Sequence, residues 1–238
     1  MSFKETWRGL FDKTVPNFLL KLFVMLVGLT CTSFAIALSR ATELGTSTVS
    51  CIPAVLSYLT PFTIGSWLLV LNLAFIGMQA LMLRRYFKPT QLLSIPFMVV
   101  FSAMIDAFVP LCELIPMESY AVRMAYTLLS CVVMALGGWL QAKCALIMVP
   151  GDGFAFAVSV VSKSRYSTCK MFLDLSLTAI AAVLSFLTLG GLYGVREGTV
   201  VAAFVVGPLI RVWGKLLSPF RWLVPVSGHI RFMPDKTV

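Results

Sequence analysis

Six apolar stretches, each about as long as a helix must be to cross a bilayer, leave this chain few folds to choose from. They fall at Phe18–Leu38, Ile64–Leu83, Leu92–Leu111, Ala121–Ala142, Cys169–Leu189 and Gly198–Val212. A helix rises about 1.5 Å per residue, so about 20 residues cover the ~30 Å of hydrocarbon. Composition agrees: of 238 residues, 59% are hydrophobic and only 12% are charged. A water-soluble core of this size cannot hide so much apolar surface, and a disordered chain would carry more charge. The sequence therefore predicts an all-α polytopic membrane protein with six transmembrane helices. Pro96, Asp106 and Pro110 in the third stretch and Gly207-Pro208 in the sixth predict kinks or breaks there.

The basic residues predict the orientation. With the N-terminus inside, sixteen of the nineteen Lys and Arg fall on cytoplasmic segments, leaving only Arg40, Arg123 and Arg196 outside. The formal charge of +9 thus reads as a topology signal and not as a nucleic-acid surface. Both termini are expected in the cytoplasm. The first stretch has the basic start and small residues (Ala35, Ala37) of a signal peptide, but it is longer than a signal core and reads as a retained span. Ahead of it, Phe3, Trp7, Leu10 and Phe11 recur at helical spacing and predict an amphipathic interfacial helix over 1–16. Phe220, Arg221 and Trp222 predict a cytoplasmic interfacial tail over 215–238.

Between these ends the chain divides into two membrane repeats, 17–115 and 116–214, each with three spans. Each repeat reads as long span, glycine turn, short apolar piece, span, span. The turns are Leu44-Gly45-Thr46-Ser47 and Pro150-Gly151-Asp152-Gly153, glycine beside a hydroxyl or carboxylate, which predicts a tight turn and a helix N-cap. The short pieces, near 46–58 and 153–161, cannot span. They read either as re-entrant half-helices or as amphipathic surface loops. An odd number of spans per repeat turns the second copy over, so the expected fold is an inverted repeat of two three-span halves.

Ionisable and polar residues inside such spans are costly and therefore informative. Asp106 lies within the third span. Lys170 and Asp174 are four apart in the fifth and share a face. Each reads either as part of a solute or proton site or as an internal ion pair orienting helices. Asn72 in the second span falls at the place Asp174 takes in the fifth, and with Gln79 it forms a polar face suited to hydrogen bonds between helices. Gly190, Gly194 and Gly198 recur every four residues and predict close helix packing. Arg196, Glu197 and Thr199 open the sixth span, where a charged pair can hold an ion or carboxylate. The candidate solute-binding set is thus Gly45, Ser47, Asn72, Asp106, Gly151, Asp152, Lys170, Asp174, Arg196, Glu197 and Thr199. Six cysteines show no metal-ligand spacing, although Cys51 and Cys112 share the outer side and could pair. No hydrolase, zinc-protease or phosphate-loop motif occurs, so neither catalytic residues, a metal nor a cofactor is expected, and the chain does not read as an enzyme.

Taken in order, Leu44-Gly45-Thr46-Ser47, Pro150-Gly151-Asp152-Gly153, Lys170 with Asp174, and Arg196-Glu197-Gly198-Thr199 leading to Val206-Gly207-Pro208-Leu209 resemble the YczE/YitT-like bacterial integral membrane proteins, over about Leu19 to Arg211. Thr48-Val49 stand where that pattern has proline and an aromatic residue. The resemblance implies the bacterial cytoplasmic membrane and supports the fold; it brings no settled activity.

The resulting expectation is a secondary transporter of a small polar or charged solute. It would work by alternating access around a midplane site framed by the two half-helices and lined by Asn72, Asp106, Lys170 and Asp174, with Asp106 or Asp174 as the proton-coupling carboxylate. Expected partners are the lipid bilayer, the solute and a coupling proton or ion, with a homodimer as a further option and no nucleic acid. The alternatives are a solute-capture subunit of a multi-component transporter and a non-transporting membrane helper.

Overall fold

The computed structural model describes residues 15–83, 92, 94–144, 149–164, 166–191 and 194–217; the amphipathic segment before Val15 and the tail after Leu217 lie outside them. The described residues form helices α1 Val15–Ala41, α2 Cys51–Leu59, α3 Ile64–Leu83, α4 Ser94–Glu113, α5 Tyr120–Cys144, α6 Pro150–Ser162, α7 Tyr166–Leu189 and α8 Glu197–Leu216. All but α2 and α6 are long and apolar enough to cross a membrane, six candidate spans among the described residues. Every expected span is present, and of the kinks or breaks expected in the third and sixth, no break occurs. Pro96 sits in the first turn of α4, where its missing N–H would have no helical partner, and Pro110 lies in the last turn. Pro208 is inside α8 and costs it one bond, but with no water to turn to, the neighbouring backbone keeps its ladder.

The centre of the bundle is the crossing of α1 and α5. A methyl built on Gly137 would stand 2.7 Å from the Gly28 carbonyl oxygen and 2.9 Å from the Thr32 nitrogen, so the two backbones touch. Small residues allow that approach, and the dispersion it yields is what holds helices together in lipid. Gln141 Nε2 donates to the Gly28 carbonyl at 3.2 Å and to the Thr32 hydroxyl at 3.0 Å. Further along, the Thr127 hydroxyl donates to that of Thr42 at 3.1 Å, so α1 and α5 run antiparallel.

Two long helices flank this pair. Helix α4 runs parallel to α1, with Phe97 packed beside Met25 and Cys112 beside Leu38. Helix α8 runs parallel to α5, with Gly198 against Thr127 and Ile210 against Gly138. Helix α3 packs on α4, and the two short helices are shared: α6 lies against α3 and α7, α2 against α7 and α3. Helices α7 and α8 are outermost, turning Met171, Phe172, Leu175, Phe186, Leu187 and Phe204 outward as a face for lipid. All six cysteines are free. The option of a Cys51–Cys112 bridge fails because Cys51 packs with Ala181 whereas Cys112 packs with Ala37 and Leu38.

Candidate functional site

The charged residues expected within the spans separate into two places. Lys170 Nζ lies 3.0 Å from Asp174 Oδ1, the pair four residues apart on α7, and 3.0 Å from Asp152 Oδ1 in the first turn of α6. One ammonium between two carboxylates leaves one excess negative charge where helices α6 and α7 meet. Asp106 does not join this cluster, against the expectation of a shared central site. Its Oδ1 accepts from the Gly65 N–H at 2.9 Å and its Oδ2 from the Thr63 hydroxyl at 2.7 Å. Thr63 in turn accepts from the Ser66 N–H at 3.2 Å, so Asp106 caps the start of α3 from the neighbouring helix, negative charge against a helix N-terminus.

Around the start of α6 the packing is close and specific. Gln79 Nε2 donates to the Pro150 carbonyl at 2.8 Å, the bond between helices that its place on α3 predicted. A methyl on Gly153 would reach 2.7 Å from Gln79 Oε1, so the Gln79 side chain would have to shift to admit it. Phe154 stacks on Phe75 with ring centroids 5.3 Å apart. A methyl on Gly151 would stand 3.8 Å from the Phe75 ring and 3.9 Å from Val49, which precedes the first residue of α2 by two. Phe75 is the twelfth of twenty residues in α3. Val49, just before α2, and Gly151, in the first turn of α6, therefore lie close together beside the second half of α3.

Neither start is capped as expected. Thr46–Ser50 is not yet helical: α2 begins at Cys51 with Ser50 at the N-cap position, and α6 begins at Pro150 after Val149. No side chain hydrogen-bonds either cap, since the Ser50 hydroxyl turns to the Ser47 carbonyl at 3.1 Å and pairs with the Ser47 hydroxyl at 2.7 Å, while valine has nothing to offer. Beside the junction, Asn72 is 2% exposed and its Oδ1 has no hydrogen-bond partner.

Gly45, Arg196 and Thr199 come together at one rim, as a strap across the chain. The Thr46 N–H donates to the Gly194 carbonyl at 3.1 Å, and the Gly198 N–H donates to the Leu44 carbonyl at 2.8 Å. Gly45 holds φ 109° with the Thr199 hydroxyl and the Arg196 backbone nitrogen against its α-carbon. A Gly45→Ala variant is expected to lose more than about 1 kcal/mol, from backbone strain alone; its thermal midpoint in detergent against wild type reads this out. Arg196 pairs with Glu197 at 3.4 Å, and Glu43 with Arg123 at 2.7 Å, all at the rim and none at the central junction. The Glu43–Arg123 pair, absent from the sequence reading, crosses from the loop after α1 to α5, a contact no local pattern announces.

The glycine spacing at 190, 194 and 198 misled in part. Only Gly198 lies within a helix, tight against the Leu44 carbonyl. Gly190 has open space around it and φ 66°, so it ends α7 in the left-handed conformation rather than packing helices together.

Six long apolar helices around a backbone-to-backbone crossing define a multi-pass helical membrane protein. The chain belongs to a family of unknown function, DUF6198, whose pattern matches residues 19–215. No curated protein and no solved structure matches it.

Proposed function

We propose that this protein is a secondary transporter of a small polar or charged solute, built as an inverted repeat and sited in a bacterial cytoplasmic membrane with both termini inside. The observation that carries this reading is the closeness of the α2 and α6 starts beside the second half of α3, near Asn72 and the Asp152–Lys170–Asp174 cluster. Helix ends at membrane depth, surrounded by protein, are the usual material of transporter sites, because such backbone is tolerated only where it is shielded or lines a cavity.

The repeat is supported by a constant offset of 102 residues, which sets Cys51 opposite Gly153 and Asn72 opposite Asp174. The buried faces follow it: Leu29, Ser33 and Gln79 answer to Cys131, Ala135 and Ala181, all buried. Packing follows it too, since α1 with α4 answers to α5 with α8, and α3 with α6 to α7 with α2. Each short helix thus lies on the second long helix of the other half. Rocking one half against the other would carry the junction from one face to the other. Asp174 is then the proton-coupling carboxylate, since Asp106 is engaged by α3.

The solute-capture alternative is disfavoured by Gly28, the small residue on α1 that could dock a motor subunit, because α5 already covers it. The test is proton flux in proteoliposomes, read by a trapped pH-sensitive dye after adding a metabolite mixture. Wild type should acidify the lumen, Asp174→Asn should lose at least about ten-fold of that rate, and Asp106→Asn should retain it. Absence of any solute-driven flux, with no solute uptake by mass spectrometry, rejects transport and leaves the helper reading.

A further inference from the structure

We propose that the junction between the starts of α2 and α6 binds a small zwitterion, a solute carrying a carboxylate and an N–H-bearing ammonium a few bonds apart. The inference names the solute class for the site proposed above and rests on that reading for its purpose, though not for its chemistry.

The two helix starts are electrostatically unlike. The first turn of α2 holds no acidic residue and no side-chain cap, so about half a unit of positive charge faces the junction uncompensated. A carboxylate is the natural counterpart of such an end. The first turn of α6 holds Asp152, which offsets its own dipole. Together with Asp174, Asp152 outnumbers Lys170 by one charge. This side favours a cation. A purely anionic solute would meet the excess carboxylate, and a purely cationic one the bare end of α2.

Asn72 supplies the independent sign that something polar belongs there. It lies on the buried stripe of α3 between Leu68 and Phe75. Leu68 packs in the cluster that holds Ala54 and Val49 at the start of α2, and Phe75 faces Gly151 at the start of α6. Its side chain is thus placed between the two starts, 2% exposed, with Oδ1 accepting from nothing. A buried acceptor left unpaired is unfavourable, and an ammonium N–H would satisfy it.

Thermal unfolding of the purified full chain in detergent, with defined probes, tests this. Glycine, L-alanine and L-serine at millimolar concentration should raise the midpoint in a concentration-dependent way, as any ligand selective for the folded state does. Acetate, methylammonium and their mixture should give less than a tenth of that shift, and glycine betaine, which has no N–H to give Asn72, should also fall short. Asn72→Leu should abolish the glycine shift. Equal shifts from acetate or from methylammonium alone, or none from any of the amino acids, overturn the inference; the probe series on wild type decides it even if the variant does not fold. Zwitterion binding without flux in proteoliposomes would sink the transport reading and leave this site standing, whereas flux driven only by other solutes would do the reverse.

Discussion

Replacing Lys170 by methionine is expected to stop the proposed transport and to lower stability by about 2–3 kcal/mol. The ammonium lies between two carboxylates at 3.0 Å each, and its removal leaves Asp152 and Asp174 as neighbouring like charges at the meeting of α6 and α7. Breaking a fully buried pair costs about 3–5 kcal/mol; the smaller figure reflects side chains that remain about a quarter to two-fifths exposed. The loss belongs to the stranded charges and not to a missing attraction. A triple variant, Asp152→Asn with Lys170→Met and Asp174→Asn, should therefore recover most of the stability while staying inactive. Urea or thermal unfolding of the purified variants measures both, and a Lys170→Met midpoint within a degree of wild type would refute the ion-cluster account.

The second large effect is expected at Gly137. Valine there would drive its side chain into the Gly28 carbonyl and the Thr32 backbone nitrogen, atoms that cannot move without separating α1 from α5. Overpacking of a close core contact costs about 1–3 kcal/mol, and here the dispersion and the Gln141 bonds of the whole crossing are forfeited as well. Little monomeric folded protein should be recovered by size-exclusion chromatography. Gly77 on α3 provides the comparison, because nothing lies within 4 Å of the position its methyl would take. Gly77→Ala should leave the yield unchanged and raise the midpoint slightly, through helix propensity.

Much of this architecture is legible in the residues, and the reasons differ from element to element. Spans are legible because lipid demands a continuous apolar run of fixed length, so Ile64–Leu83 is read to the residue. The Lys170–Asp174 pair is legible because helical spacing alone sets it. Tertiary choices are not. Whether Asp106 faces a central site or the end of α3 depends on which helix lies beside α4, and nothing within the third span encodes that neighbour. The N-caps failed for a related reason: Gly45, Thr46 and Ser47 look like a cap and turn, but Leu44 and Thr46 are tied by backbone bonds to Gly198 and Gly194, and the helix begins only at Cys51. The prolines break neither helix, because the cost of breaking a helix in lipid exceeds the cost of one lost bond.

The same strap bears on how the chain is made. Thr46 waits for Gly194, a partner 148 residues later in the sequence. Helices α1 and α2 emerge from the ribosome long before α8 exists. Until the start of α8 is synthesised, the segment that turns from α1 into α2 lacks the backbone partners that its Leu44 carbonyl and its Thr46 N–H have in the finished fold. Such groups cannot be left in hydrocarbon, so this segment has to stay in water or against the insertion machinery until the end of synthesis. The turn from α1 into α2 is then sealed by the start of α8. A ribosome stalled before Gly194 should expose a cysteine placed at Thr46 to a water-soluble maleimide that the finished protein excludes.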